Sequence, residues 1–171
     1  MELRFVPPDL RRLDDLSAEV ASCALFEDDW PLIGLAGLFD WRLAGRLSAL
    51  GRRGYLTGAR DEVMLVPGRP RVPFEKLVLL GLGRREDFDD DACVRALERV
   101  GDVLEGLKVR RAVVELPGRG GGAIGAERAA ELLLRTLGSS KEHDAWWLVE
   151  EEHAGQVVTA RMREDQGRRR T

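Results

Sequence analysis

Val109–Leu137 reads VRRAVVELPGRGGGAIGAERAAELLLRTL, and its three parts decide the fold class. Arg111 to Leu116 is a short β-branched and apolar run, which predicts a strand. Pro117 ends it, and five glycines fall within the nine residues from Pro117 to Gly125. Apolar positions then return at helical spacing: Ala126, Ala129, Ala130, Leu133, Leu134 and Leu137. The reading is strand, glycine loop, helix. In such a loop the missing Cβ atoms let successive N–H groups turn toward one point. The helix N-terminus behind them adds a partial positive charge, so the loop is a candidate phosphate cradle.

Around this unit the chain alternates strands and helices. Met1 to Val6 alternates as a strand stopped by Pro7 and Pro8, and Asp9 to Leu16 carries leucines at threefold spacing, a turn or two of helix. Ala21 to Phe26 predicts a second strand, ending in Glu27, Asp28 and Asp29 before Trp30 and Pro31. From Leu35 to Leu50 one face is apolar, predicting a single amphipathic helix closed by Gly51 and Gly54. Glu62 to Val66 and Leu77 to Leu80 read as strands joined by VPGRPRVP as a hairpin-like connection. The run LVLLGLG has no polar alternation, the mark of a strand covered on both faces.

Asp89 to about Leu107 predicts the next helix, with an unbroken apolar stripe and acidic residues at its start. Ala145 to Val149 predicts a strand, Gln156 to Met162 a last edge strand, and 163–171 a flexible basic tail that contains Arg168, Arg169 and Arg170. The whole predicts one α/β domain over 1–162, three layers deep, around a mixed central sheet.

Composition narrows the function classes. With 27 basic and 30 acidic residues the formal net charge is −3, so a general nucleic-acid or membrane binder is not expected. No apolar run is long enough to span a bilayer and the N-terminus lacks the pattern of a secretory leader, which predicts a cytoplasmic protein. Cys23 and Cys93 form no Cys-x-x-Cys pair and read as buried thiols rather than a disulfide or zinc site.

Several segments in order, FEDDWPLIGLAGLFDWRLAGRLSAL, RGYLTGARDEVMLV and FEKLVLLGLGRREDF, resemble the N-terminal domain of M17 leucyl aminopeptidases over roughly Met1 to Leu116. The resemblance implies a macro-domain-like fold. The macro family is also echoed by Asp9-Leu10, Thr57-Gly58 and the Gly122 to Gly125 loop. In the aminopeptidases the metal ligands and the catalytic basic residue belong to a second domain with a signature like N-T-D-A-E-G-R, and no such run occurs here. Aminopeptidase activity, metal ions and cofactors are therefore not expected.

In ADP-ribose-binding macro domains an asparagine-rich loop meets the ribose, where this chain has Glu27, Asp28 and Asp29. Each carboxylate near a diphosphate costs about 1 kcal/mol even in water-like dielectric. Two readings stay open. The one adopted is a non-catalytic interaction or assembly module, with a protein partner or self-association and a contact patch at Glu27, Asp28, Asp29 and Trp30. The alternative is an ADP-ribose or related nucleotide binder using Asp9, Gly118, Gly120, Gly121, Gly122, Ala123, Ile124 and Gly125.

Other features carry less. Gly120 to Gly125 also satisfies G-x-G-x-x-G, with Glu150 to Glu152 after the next strand, but a dinucleotide fingerprint normally opens its domain. His143 and His153 lack a standard ligand spacing and read as solvated surface. Ser139 and Ser140 read as a helix end. Of the four tryptophans three are expected in the core; Trp146 and Trp147 point to opposite sheet faces, one into the core and the other toward a helix layer or a partner surface, and if any is exposed it is Trp30, as a contact residue.

Overall fold

In a computed structural model, which describes the backbone of residues 1–168 and side chains as far as residue 163, the chain alternates strands and helices. The strands are β1 (Glu2–Val6), β2 (Val20–Leu25), β3 (Val63–Pro67), β4 (Lys76–Gly81), β5 (Arg111–Val114) and β6 (Ala145–Val149). The helices are α1 (Leu10–Asp14), α2 (Gly34–Arg42), α3 (Arg46–Arg52), α4 (Asp90–Gly106), α5 (Ala126–Leu137) and α6 (Glu152–Arg168).

The strands form one sheet in the order β1-β6-β5-β2-β4-β3, mixed as expected. Every neighbouring pair is parallel except β3 with β4. The connections explain this. The β3–β4 link is a short hairpin loop, which allows antiparallel pairing, whereas parallel neighbours need long crossovers.

Successive strand residues point to opposite faces, so the sheet has two cores. Ala21, Cys23, Leu25, Leu77, Leu79, Val113 and Trp147 pack under α1–α3 with Leu13, Leu35, Phe39 and Leu47. Val20, Val78, Leu80, Ala112, Val114, Trp146 and Leu148 pack under α4 and α5 with Leu97, Leu104 and Leu133. This is the expected three-layer α/β/α arrangement. Asp89 caps α4 by accepting the Ala92 N–H at 2.8 Å, which is why that helix starts where the acidic cluster stands.

Four expectations are corrected. The helix from Leu35 to Leu50 is two helices, because Ala44 and Gly45 both take positive φ, 55° and 79°. The Asp40 carboxylate then accepts the Ser48 N–H at 3.0 Å and the Ser48 hydroxyl, restarting the chain as α3. Gln156 to Met162 is not a strand but part of α6. There the buried residues Gly155 and Val158 recur at helical spacing, and the Thr159 hydroxyl bonds back to the Gly155 carbonyl at 2.8 Å.

The tryptophans are the third correction. Trp146 and Trp147 are both core, one on each face, but Trp41 is 76% exposed, well beyond Trp30 at 37%. Fourth, His143 is buried rather than solvated, its Nδ1 2.9 Å from the Val109 carbonyl and its ring 5.3 Å from that of Trp146. Both cysteines are buried and free, as expected. At the C-terminus α6 runs through position 163 to Arg168, while residues 169–171, with Arg169 and Arg170 of the expected tail, lie outside the described residues.

Candidate functional site

Because β6, β5 and β2 are parallel neighbours, their C-terminal ends lie side by side and the loops that follow them converge. In open α/β sheets this is where ligands are held. The converging loops are 26–33 after β2, 115–125 after β5 and 150–151 after β6.

Charged side chains stitch these loops together. Asp29 is buried, accepting the Phe26 N–H at 3.0 Å through one oxygen and the Arg85 guanidinium at 2.6 Å through the other. The same guanidinium donates to the Gly121 carbonyl at 2.9 Å and lies over the Phe26 ring, 4.6 Å from its centroid. Arg85 thus ties the acidic loop to the glycine loop. Asp28 accepts the Arg85 N–H at 3.0 Å, and Glu27 is exposed. Trp30 lays its indole on Gly51 of α3, where only a residue without a Cβ leaves room for the ring.

The glycine loop is wrapped around Arg119. Its Nε and Nη2 donate to the two Glu150 oxygens, each at 2.7 Å, and Nη1 donates to the Ile124 carbonyl at 2.8 Å. Gly118 and Gly122 take positive φ, 81° and 68°, the turns that a side chain would resist. Beneath the loop sits Glu115, whose Oε2 accepts the Leu35 N–H at 2.7 Å at the start of α2. A Cβ at Gly34 would fall 2.6 Å from Glu115 Oε2, and one at Gly120 2.7 Å from Oε1, so both glycines are pressed against this carboxylate. Burial pushes the Glu115 carboxyl up to about 7; the Leu35 N–H opposes the rise, and Glu150 and Asp29 add to it.

Gly118, Gly120, Gly121, Gly122, Ala123, Ile124 and Gly125 form one loop over Glu115. Asp9 caps α1, its carboxylate accepting the Arg11 N–H at 2.8 Å. Near α1 a cavity of about 660 Å³ is lined by Phe5, Pro7, Arg12, Glu150, Glu151 and Gly155, among others, and shares Glu150 with the charged cluster. Among the described residues no group of three or more His, Cys, Asp or Glu is placed to hold a metal ion.

Sequence reasoning passed over Arg85, Glu115 and Arg119. For two of them the signal was present: Glu115, a glutamate closing an apolar run, and Arg119, an arginine inside a glycine run, are charges the fold must pair.

Five parallel strands with one antiparallel edge, helices on both faces and two loops meeting at the strand ends define a macrodomain-like α/β protein. Solved structures agree: the Oceanobacillus iheyensis macrodomain superposes with a TM-score of 0.70, covering 97% of this chain and 92% of that one at 11% identity. Tomato leucine aminopeptidase gives 0.66 over 95% of this chain and 35% of that one, at 12% identity. At such identities the likeness is one of fold.

The model of the cytosol aminopeptidase family, N-terminal domain, matches residues 24–141, and the chain belongs to that family. The match continues past Leu116 through the glycine loop and α5. A probable cytosol aminopeptidase of Trichormus variabilis is 32% identical over 100 residues, 58% of this chain and 20% of that protein. The chain thus spans about a fifth of that relative's length. No helix among the described residues is long and apolar enough to cross a membrane.

Proposed function

We propose that this chain is a non-catalytic interaction or assembly module of the cytoplasm, carrying no aminopeptidase activity of its own. The observation that carries the reading is the occupation of the would-be anion site by the chain's own charges. Glu115 lies against Gly34 and Gly120, where an anion approaching the loop would meet a carboxylate. Arg85 and Arg119, the cations that would attract a phosphate, are engaged with Asp29, Glu150 and loop carbonyls. A further fact supports it: the family match is to the N-terminal domain.

The alternative, ADP-ribose held by Gly118 to Gly125, makes an opposite prediction for thermal unfolding. A ligand at about 100 times its dissociation constant adds about 2.7 kcal/mol to stability. Millimolar ADP-ribose is expected to leave the melting temperature unchanged; a clear rise would replace the module reading with the ligand reading. Release of amino acids from leucyl peptides by the purified, metal-supplemented chain would overturn the non-catalytic half.

A further inference from the structure

From Trp41 to Arg60 the chain carries five arginines and no aspartate or glutamate, in a molecule whose net charge is negative. Arg42 is occupied, its guanidinium forked onto Asp14. Arg46, Arg52 and Arg53 are exposed, and their guanidinium groups have no ion-pair partner among the described residues. Arg46 opens α3 and Arg53 caps its end, seven residues or about two turns on.

Two large rings flank this helix. Trp41 is 76% exposed just before the turn into α3, and Tyr55 is 64% exposed just after its end, where its N–H bonds to the Leu50 carbonyl. With a rise of ~1.5 Å per residue, α3 is only ~10 Å long, so the rings and the arginines are gathered in a short stretch around this one helix. Among the described residues, four of the five large apolar side chains left exposed fall from Trp30 to Tyr55, so the apolar exposure is concentrated in this part of the chain rather than scattered.

Trp, Tyr and Arg are the residue types that dominate interface energies once covered. The charge selects the partner. A long nucleic acid needs a track of cations to replace its counterions and would be repelled by the rest of this acidic molecule, whereas a short acidic segment needs only the free arginines. We propose that this stretch docks an acidic protein segment with apolar anchors: its carboxylates pair with Arg46, Arg52 and Arg53, and its apolar side chains cover Trp41 and Tyr55. This rests on the module reading and names the chemistry of the partner.

The test is anisotropy of a fluorescein-labelled peptide of glutamates and aspartates interspersed with leucine and phenylalanine, titrated with the full chain. Saturable binding that weakens as salt rises is expected. Trp41→Ala and the double change Arg46→Glu with Arg53→Glu should each weaken it about tenfold or more while leaving the melting temperature unmoved, because all three side chains are exposed. Absence of binding, binding by both variants as tight as by the unchanged chain, or tighter binding of oligothymidylate than of the peptide would each overturn the proposal. A chain that ignores both the peptide and ADP-ribose loses the docking stretch but keeps the module reading; one stabilised by ADP-ribose loses the reading itself.

Discussion

Arg119 and Glu150 meet fork to fork, two N–H groups on two carboxylate oxygens at 2.7 Å each, with the Glu150 side chain only 2% exposed. This pair joins the glycine loop to the end of β6. Removing one partner of a buried pair leaves an uncompensated charge, a cost of about 3–5 kcal/mol. Arg119→Met should therefore destabilise by that order in urea unfolding, and adding Glu150→Gln should recover part of the loss. A loss below about 1 kcal/mol would show that the pair behaves like an exposed salt bridge.

Glu115 makes stability pH-dependent. Its carboxyl titrates at about 7 in the folded chain against 4.5 for a free glutamate. Between those values the folded chain holds a proton the unfolded chain has released. Stability therefore falls as pH rises through this window, by about 3 kcal/mol in all. Glu115→Gln keeps an oxygen for the Leu35 N–H but cannot ionise. Its unfolding free energy should be flatter across the window and should exceed wild type above it; an unchanged slope would count against Glu115 as the source.

The glycines of the site should divide by geometry. Gly34→Ala puts a Cβ 2.6 Å from Glu115 Oε2 and 2.8 Å from Gly120 Cα at a φ of +60°, so loss of stability of at least about 1–3 kcal/mol is expected. Gly122→Ala meets open space but keeps a φ of +68°, a cost of about 1 kcal/mol. Gly125→Ala has both open space and a φ of −69°, but it stands at the N-cap of α5, where alanine is poorer than glycine, so a smaller loss of about 0.5 kcal/mol is expected. Equal melting temperatures for all three would contradict this ordering.

The two thiols should be inert in the folded chain. Burial pushes Cys23 well above the ordinary thiol range, and it pushes Cys93 to about 12. Thiolate is the reactive form, so labelling by a disulfide reagent at neutral pH should follow unfolding rather than thiol chemistry. Fast labelling of either cysteine in the native state would show a path to solvent.

Most of the architecture was legible in local pattern. β6 and α5 fall where spacing placed them, and the hairpin and the doubly covered β4 follow from VPGRPRVP and LVLLGLG. The misses share a cause. The break between α2 and α3 depends on a left-handed Gly45 and on Asp40 reaching Ser48, and a face pattern that continues across the break conceals it. The pair Val157-Val158 reads as strand by propensity, yet α6 packs on α5, and that contact decides for helix. The site was half legible: the glycines marked the loop, but nothing local shows that Arg119 turns back to Glu150, thirty-one positions away.

Alternating apolar periods and turn residues by themselves determined the class of fold and the order of its layers, because burying a stripe or a face is a local demand made by each segment. Only the tertiary structure decided what the glycine loop encloses. Glu115, Arg85 and Arg119 come from separate segments, and parallel strands bring their loops to one end of the sheet. There, charges taken out of water had to find partners in each other and in the loop carbonyls.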